Sequence, residues 1–82
     1  MAEVLLHPDV EDWLDDAPVD VERQVRKKLR EAGDRPAFLL KPLRGRETHR
    51  LAAGTYRAEI VWDEEHDELR VLQVGHRDKF YE

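Results

Sequence analysis

The chain has no cysteine and only four glycines and four prolines among its 82 residues. Without cysteine it contains neither a disulfide framework nor a thiolate metal site. No segment approaches the roughly 20 apolar residues in a row that a membrane-spanning helix requires. The first residues also lack the basic region and the apolar stretch of a secretory signal peptide. We therefore expect a cytoplasmic protein that does not enter a membrane.

Signatures of several enzyme classes are missing as well. No spacing of histidines and carboxylates indicates a metal site, and there is no Ser-His-Asp arrangement or glycine-rich phosphate loop. The length predicts a single domain over residues 1–82. A chain of this size buries only about 60% of its unfolded surface, so its core is expected to be small.

Charge is distributed unevenly along the chain. The net charge is −5, but residues 1–22 carry −8, residues 23–57 carry +8 and residues 58–82 carry −5. A basic middle between acidic ends favours an anionic ligand. Charge alone leaves open the alternative that the basic block is only a solvated helix face.

The apolar pattern predicts a strand, then two helices, then three strands. A strand at residues 3–6 precedes a helix that begins at Pro8 and ends near Asp16. A second helix is expected after an N-cap at Asp20, with Gly33 terminating it. Strands are predicted near residues 48–53, 56–62 and 69–74. The order β-α-α-β-β-β predicts an α+β fold, with a helical hairpin packed on a small, largely antiparallel sheet. The last strand, apolar on both sides, is expected to be central and covered on both faces.

A two-residue hairpin is predicted at Gly54 and Thr55, because glycine at the first central position suits a type II′ turn. That turn sets the register of the two strands. It pairs Ala53 with Tyr56, Ala52 with Arg57, Leu51 with Ala58 and Arg50 with Glu59. Side chains alternate between the faces of a strand, so both arginines are expected on one solvated face, opposite the core.

Three motifs around this hairpin resemble a known family. They read Lys41-Pro-Leu-Arg-Gly45, Gly54-Thr-Tyr-Arg57 and Gly75-His-Arg-Asp-Lys-Phe-Tyr81. In this order the chain resembles the RelE/ParE superfamily of type II toxin–antitoxin systems, over nearly its whole length. The RelE-like branch implies a ribosome-dependent endoribonuclease that cleaves mRNA by metal-free attack of a 2′-hydroxyl. No cofactor is implied, and a cognate antitoxin is implied as partner in a hetero-oligomer.

The resemblance also implies roles for individual residues. Arg57 and Arg77 would hold the scissile phosphate and stabilise its charge, and Tyr81 would stack on a base or transfer a proton. RNA would be bound by Lys41, Arg44 and Arg50. Two alternatives remain open from the residues themselves. Arg57 would instead form an ion pair with Glu59 or Glu47, and Tyr81 would only pack the chain end onto the sheet.

At one position the chain departs from the family pattern. Many RelE-like ribonucleases have Lys-x-Lys before the turn, and the second lysine is the proposed general base. Here the strand reads Arg50-Leu-Ala52, so alanine occupies that position. The residues able to replace the base are His76, His49, Glu59 and Tyr81. Neighbouring strand residues point to opposite faces, which weighs against His76 and Arg77 reaching one site together.

The missing lysine keeps two further functions open. One is a ParE-like protein that binds and poisons DNA gyrase without being a nuclease. The other is a non-catalytic protein that binds only its antitoxin and operator DNA. The closing Gly-His-Arg and terminal tyrosine favour the ribonuclease.

Overall fold

A computed structural model of the protein describes residues 1–43, 45 and 47–79. Two predicted site residues, Arg44 and Tyr81, therefore lie outside the described residues. The helices are α1 (Pro8–Asp16), α2 (Val19–Asp34) and α3 (Pro36–Leu39), with a 3₁₀ helix at Arg77–Lys79. The strands are β1 (Glu3–Leu6), β2 (Lys41–Pro42), β3 (His49–Ala53), β4 (Tyr56–Asp63) and β5 (Glu68–His76). None of the described helices is long and apolar enough to cross a membrane.

The strands form one five-stranded sheet in the order β1-β5-β4-β3-β2. β1 runs parallel to β5, and the other neighbouring pairs are antiparallel. The predicted α+β fold with a largely antiparallel sheet is thus confirmed. The sequence pattern missed α3 and β2, because four and two residues are too few to show a period. Pro42 lies in an edge strand, where its missing N–H does not interrupt the sheet.

α1 begins where its sequence predicts. Pro8 occupies the first turn, and the imidazole Nδ1 of His7 accepts the backbone N–H of Asp9 at 3.1 Å. The helix ends at Asp16 and buries Val10 and Leu14. These two side chains recur on one face of the helix, so α1 covers the sheet with a narrow apolar stripe.

The predicted limits of α2 were wrong at both ends. Its N-cap is Pro18, whose carbonyl accepts the N–H of Glu22 at 2.9 Å, and Asp20 lies inside the first turn. Gly33 does not end the helix but is buried within its last turn. A β-carbon at Gly33 would lie 2.9 Å from the carbonyl oxygen of Ala2, so this glycine permits the N-terminal segment to approach.

The helices cover one face of the sheet only. The core lies between helices and strands and is formed by apolar side chains such as Val10, Leu14, Val25, Leu29, Leu51, Ile60, Leu69 and Val71. On the opposite face of β5, Arg70 is exposed and Leu72 is 39% exposed. β5 is an interior strand, as expected, but the prediction that both its faces are covered was wrong. The uncovered face of the sheet is called the open face below.

Candidate functional site

The hairpin between β3 and β4 has the predicted turn and register. Gly54 has a φ of 63°, in the left-handed region that favours glycine. The cross-strand partners of Ala53, Ala52, Leu51 and Arg50 are Tyr56, Arg57, Ala58 and Glu59. Because Leu51 and Ala58 are buried in the core, Arg50 and Arg57 fall on the open face.

Arg57 is held at this turn by its own guanidinium group. Its Nη1 donates to the carbonyl oxygens of Gly54 and Tyr56, both at 2.8 Å. Within the described part of the chain, Arg57 forms no ion pair, so the alternative of a pair with Glu59 or Glu47 is not observed. A guanidinium has five N–H donors, and two carbonyl acceptors do not neutralise its charge.

Arg77 reaches the same turn through its backbone. Its N–H donates to the carbonyl oxygen of Thr55 at 2.8 Å, and the 3₁₀ helix begins at this residue. The two consecutive turn residues therefore each bind one arginine. The carbonyl of Gly54 accepts from the Arg57 guanidinium, and the carbonyl of Thr55 accepts from the Arg77 backbone. Two arginines far apart in sequence are brought to one end of the sheet.

A row of polar side chains crosses the open face next to the arginines. Lys41 is paired with Arg50, Arg50 with Glu59, and Glu59 with Gln73, across strands β2 to β5. Lys41 is exposed and Arg50 half-buried. Glu59 is only 8% exposed, although it was predicted on a solvated face. The open face thus combines predicted RNA-binding cations with one buried carboxylate.

Hydrogen bonds from Thr48, just before β3, and from Gln73 on β5 contribute to the burial of this carboxylate. Thr48 Oγ1 donates to Glu59 Oε2 and Gln73 Nε2 donates to Oε1, each at 2.6 Å. Such bonds offset the loss of hydration of a buried charge. The sequence pattern did not indicate that Thr48 and Gln73 would bind Glu59. Gln73 faces Glu59 only because the pairing of β4 with β5 shifts at a bulge between Glu59 and Ile60.

Two of the candidate bases, His49 and His76, lie on the other side of the sheet. His76 is paired with Tyr56, and their rings meet edge to face with centroids 5.9 Å apart. His49 is paired with the core residue Ile60, and its buried Nδ1 has no hydrogen-bond partner among the described residues. The structure therefore does not bring His76 onto the face of Arg57. Among the described residues, no group of three or more histidines or carboxylates is placed to hold a metal ion.

No protein-family model and no curated protein sequence matches the chain. Several solved structures do match the chain. A chain of the toxin–antitoxin complex RelBE2 from Mycobacterium tuberculosis has 26% identity and a TM-score of 0.84, over 93% of this chain and 98% of that one. The chain is a RelE-like toxin.

Two further RelE structures also match this chain. The archaeal RelE–RelB complex from Pyrococcus horikoshii matches with a TM-score of 0.80 at 17% identity, over 96% of this chain and 98% of that one. The isolated E. coli RelE toxin matches with a TM-score of 0.77 at 21% identity, over 93% and 84%. At such low identity these two matches concern the fold.

The RelE-like motifs come together in this fold. Lys41 lies on β2, the Gly54–Arg57 motif forms the hairpin, and Gly75 and Arg77 lie where β5 ends. Arg57 is paired directly with Gly75, which joins the second motif to the third. The second and third motifs, which are separated in the sequence, are therefore neighbours in the fold.

Proposed function

We propose that this RelE-like toxin is a ribosome-dependent endoribonuclease that cleaves mRNA and inhibits translation. The 2′-hydroxyl of the substrate would attack the adjacent phosphate, so the protein supplies charge and position and no cofactor. The observation that carries the proposal is the anchoring of Arg57 and Arg77 at one turn. Two arginines whose segments are held at one turn suit a phosphate whose negative charge grows in the transition state.

Arg57 is the main phosphate ligand in this proposal. Its guanidinium is already ordered by the carbonyls of Gly54 and Tyr56, so little conformational freedom is lost when it binds the phosphate. Its planar fork donates to two phosphate oxygens at once and stays charged at every working pH. Arg77 is the second phosphate ligand, at the start of the 3₁₀ helix.

The remaining predicted residues would position RNA or assist proton transfer. Lys41 and Arg50 lie in adjacent positions of β2 and β3 and would follow the RNA backbone. Arg44 is proposed for the same role. Tyr81 is proposed to stack on a base or donate a proton. His76 lies beside Tyr56 on the other face, so its role in acid–base chemistry has the least support.

Dependence on the ribosome follows from the shape of the site. Lys41 is exposed on the open face of the sheet, and Arg77 is exposed in the 3₁₀ helix that follows β5. An open surface does little to fix the attacking hydroxyl in line with the leaving oxygen. Orientation of the reacting groups contributes several kcal/mol to such a reaction, on the order of 7–11 in the best intramolecular cases. The ribosomal decoding site would supply that orientation, which places the proposed action in the cytoplasm.

An antitoxin partner is part of the proposal. The matched structure from Mycobacterium tuberculosis is a toxin–antitoxin complex, and the one from Pyrococcus horikoshii is a RelE–RelB complex. A cognate antitoxin would bind this chain in a hetero-oligomer, with an acidic segment over the basic open face. Charge complementarity would guide the association and make it sensitive to salt.

Primer extension on mRNA held in stalled ribosomes tests the nuclease. The wild-type protein is expected to cut inside the decoding-site codon, and Arg57→Ala is expected to abolish the cuts. Arg70→Ala is the matched control, because Arg70 lies on the same sheet but bonds Asp63 and Glu68. Intact mRNA with folded wild-type protein would overturn the proposal.

A ParE-like gyrase poison is the second candidate, favoured by Ala52. This residue lies directly opposite Arg57, at the position where the nuclease family has its lysine base. Intact mRNA together with gyrase-dependent DNA cleavage would establish this function. If both assays are negative, and Arg57→Ala still binds the antitoxin, the protein has only a binding role.

A further inference from the structure

The exposed side of α2 carries three cationic side chains that form no ion pair within the described part of the chain. They are Arg23, Lys27 and Arg30, called the basic stripe below. Residues three and four apart lie on one side of a helix, so the stripe is continuous over about 10 Å of the helix axis. It faces away from Val25 and Leu29, which pack α2 on the sheet.

The neighbouring cations of α2 differ from the basic stripe because they are paired. Arg26 Nε bonds Glu22 at 2.9 Å, and Lys28 Nζ lies 3.4 Å from Glu31. Like charges one turn apart on a helix repel each other, so the stripe does not stabilise α2. An anionic partner outside the chain would supply the opposite charge that the helix itself does not provide.

The basic stripe adjoins the hairpin turn of the proposed active site. Lys27 of the stripe, Gln24 of α2 and Gly54 of the turn line one cavity of about 210 Å³. Lys28 and Glu31 also line it, but these two are paired with each other. Lys27 is therefore the cation that an anion in this cavity would meet, directly beside the turn.

The basic stripe and the proposed active site lie on different sides of the sheet. Arg57 is on the open face, whereas α2 packs on the covered face. An mRNA strand bound on the open face would have to bend over the hairpin turn to reach the stripe. A second RNA segment on the far side of the turn would contact the stripe without such a bend. On a ribosome that second segment is ribosomal RNA.

We propose that the basic stripe binds the phosphate backbone of ribosomal RNA, which rests on the ribosome-dependent function proposed above. Folded RNA presents its phosphates on the outside, so cationic side chains bind them without reading the base sequence. With the stripe on ribosomal RNA, the adjoining turn stays free to meet the mRNA from the open face. The stripe thereby positions the toxin and takes no part in the bond cleavage.

Charge on the other long helix limits the orientation of this docking. α1 has no lysine or arginine and carries five carboxylates, Asp9, Glu11, Asp12, Asp15 and Asp16. Phosphates repel α1 and attract α2, although both helices belong to the same layer of the fold. The toxin would therefore approach RNA with α2 and hold α1 away from it.

The test is equilibrium binding of the full chain to ribosomes that hold no mRNA, at a series of salt concentrations. Each phosphate contact that is lost lowers the slope of log affinity against log salt by about 0.7–0.9. Arg23→Ala and Lys27→Ala are each expected to lower the slope by this amount, and the double variant by roughly twice as much. Alanine favours the helix, so the fold is expected to persist, which circular dichroism checks.

Arg70→Ala is the matched control for the single variants. It removes the same charge, but from a side chain paired with Asp63 and Glu68 on the sheet. We expect it to keep the wild-type slope. An equal loss of slope in Arg70→Ala would show that only the net charge matters, and would overturn the proposal. Wild-type slopes in both stripe variants would overturn it as well.

Two further measurements separate ribosomal RNA from other anionic partners. A loss of affinity that appears only on ribosomes loaded with mRNA would overturn the proposal in favour of an mRNA contact. Weaker binding of the cognate antitoxin by the stripe variants, with unchanged binding to ribosomes, would overturn it in favour of a protein partner. Equal antitoxin binding by wild type and variants is the result expected here.

Failure of the proposed function has a different result. Wild-type protein that binds empty ribosomes but cuts no mRNA would overturn the nuclease, while the salt slopes still decide the role of the stripe. Wild-type protein that binds no ribosomes would overturn both proposals. Cleavage of mRNA by wild type, with unchanged salt slopes in the stripe variants, would overturn the role of the stripe alone.

Discussion

Gly54 and Gln24 lie so close that a β-carbon on Gly54 would overlap the side-chain amide of Gln24. The contact joins α2 to the hairpin turn that also holds Arg57 and Arg77. The position of both arginines therefore depends on a helix that contributes neither of them. Tyr56 reinforces this end of the sheet, because its ring meets Trp13 of α1 edge to face with centroids 5.6 Å apart.

Replacement of Gly54 by alanine is expected to destabilise the protein through two effects. Its φ of 63° disfavours a β-carbon by about 1–2 kcal/mol, and the overlap with Gln24 adds to this. Gly45→Ala is the control, since Gly45 has a φ of 73° but no atom of the described part of the chain beyond its own neighbours within 4 Å of an added β-carbon. Urea denaturation should show the larger loss for Gly54→Ala. Equal losses in the two variants would show that Gln24 moves aside freely.

Arg57→Lys is expected to impair cleavage while leaving the fold intact. Lysine keeps the positive charge but lacks the planar fork that spans the carbonyls of Gly54 and Tyr56. Loss of one preorganised charge donor typically lowers a rate by about 100- to 1,000-fold. Single-turnover cleavage on ribosomes measures the effect, and circular dichroism checks the fold. A lysine variant with the wild-type rate would show that only the charge matters.

Truncation of Ile60 in the core is expected to be strongly destabilising. Its side chain is fully buried between the helices and the sheet, and the small core has little with which to refill the space. Ile60→Ala is expected to lower the free energy of unfolding by about 2–5 kcal/mol, and Ile60→Val by about 0.5–1.5. Leu72→Ala is the exposed control and should change little. Thermal and urea denaturation give these values.

The loop between β4 and β5 is expected to make stability sensitive to acid. A hydrogen bond from the His66 side chain, 2.8 Å from Asp63, and another from the His66 N–H lower the pKa of the Asp63 carboxyl below its ordinary value of 3.8. A carboxyl with a lowered folded-state pKa stabilises the fold above its unfolded pKa. That contribution is lost as pH falls through the folded-state pKa.

Asp63→Asn is accordingly expected to be less stable than wild type at neutral pH. The difference should vanish in strong acid, where the wild-type carboxyl is protonated as well. Chemical denaturation at a series of pH values measures it, and His66→Ala should reproduce the neutral-pH loss in part. A difference that persists unchanged in acid would show that charge on Asp63 is not its cause.

Local chemistry explains which parts of this fold were predictable from sequence. Pro8 marks the start of α1 because proline suits the first helical turn. Gly54 and Thr55 determine the hairpin, and a two-residue turn leaves only one register for the pairs that follow it. The fold class follows from the order of such elements, which is why the family resemblance and the structure agree.

Long-range packing explains what was not predictable. Gly33 has the sequence signature of a helix end, yet it stays helical because the Ala2 N–H bonds its carbonyl at 2.7 Å. β2 exists because β3 pairs with it, and two residues carry no periodicity of their own. Similarly, the covered and uncovered faces of β5 differ because all of the helices pack on one side.

The sequence by itself determined the α+β order, the hairpin register and the placement of Arg50 and Arg57 on one face. Each of these follows from turn chemistry or from the alternation of side chains along a single strand. Only the tertiary structure decided that Glu59 is buried and that Gln73 reaches it. That contact needs a bulge in the pairing of two strands. The sequence of neither strand indicates by itself which residues of the other strand it will pair with.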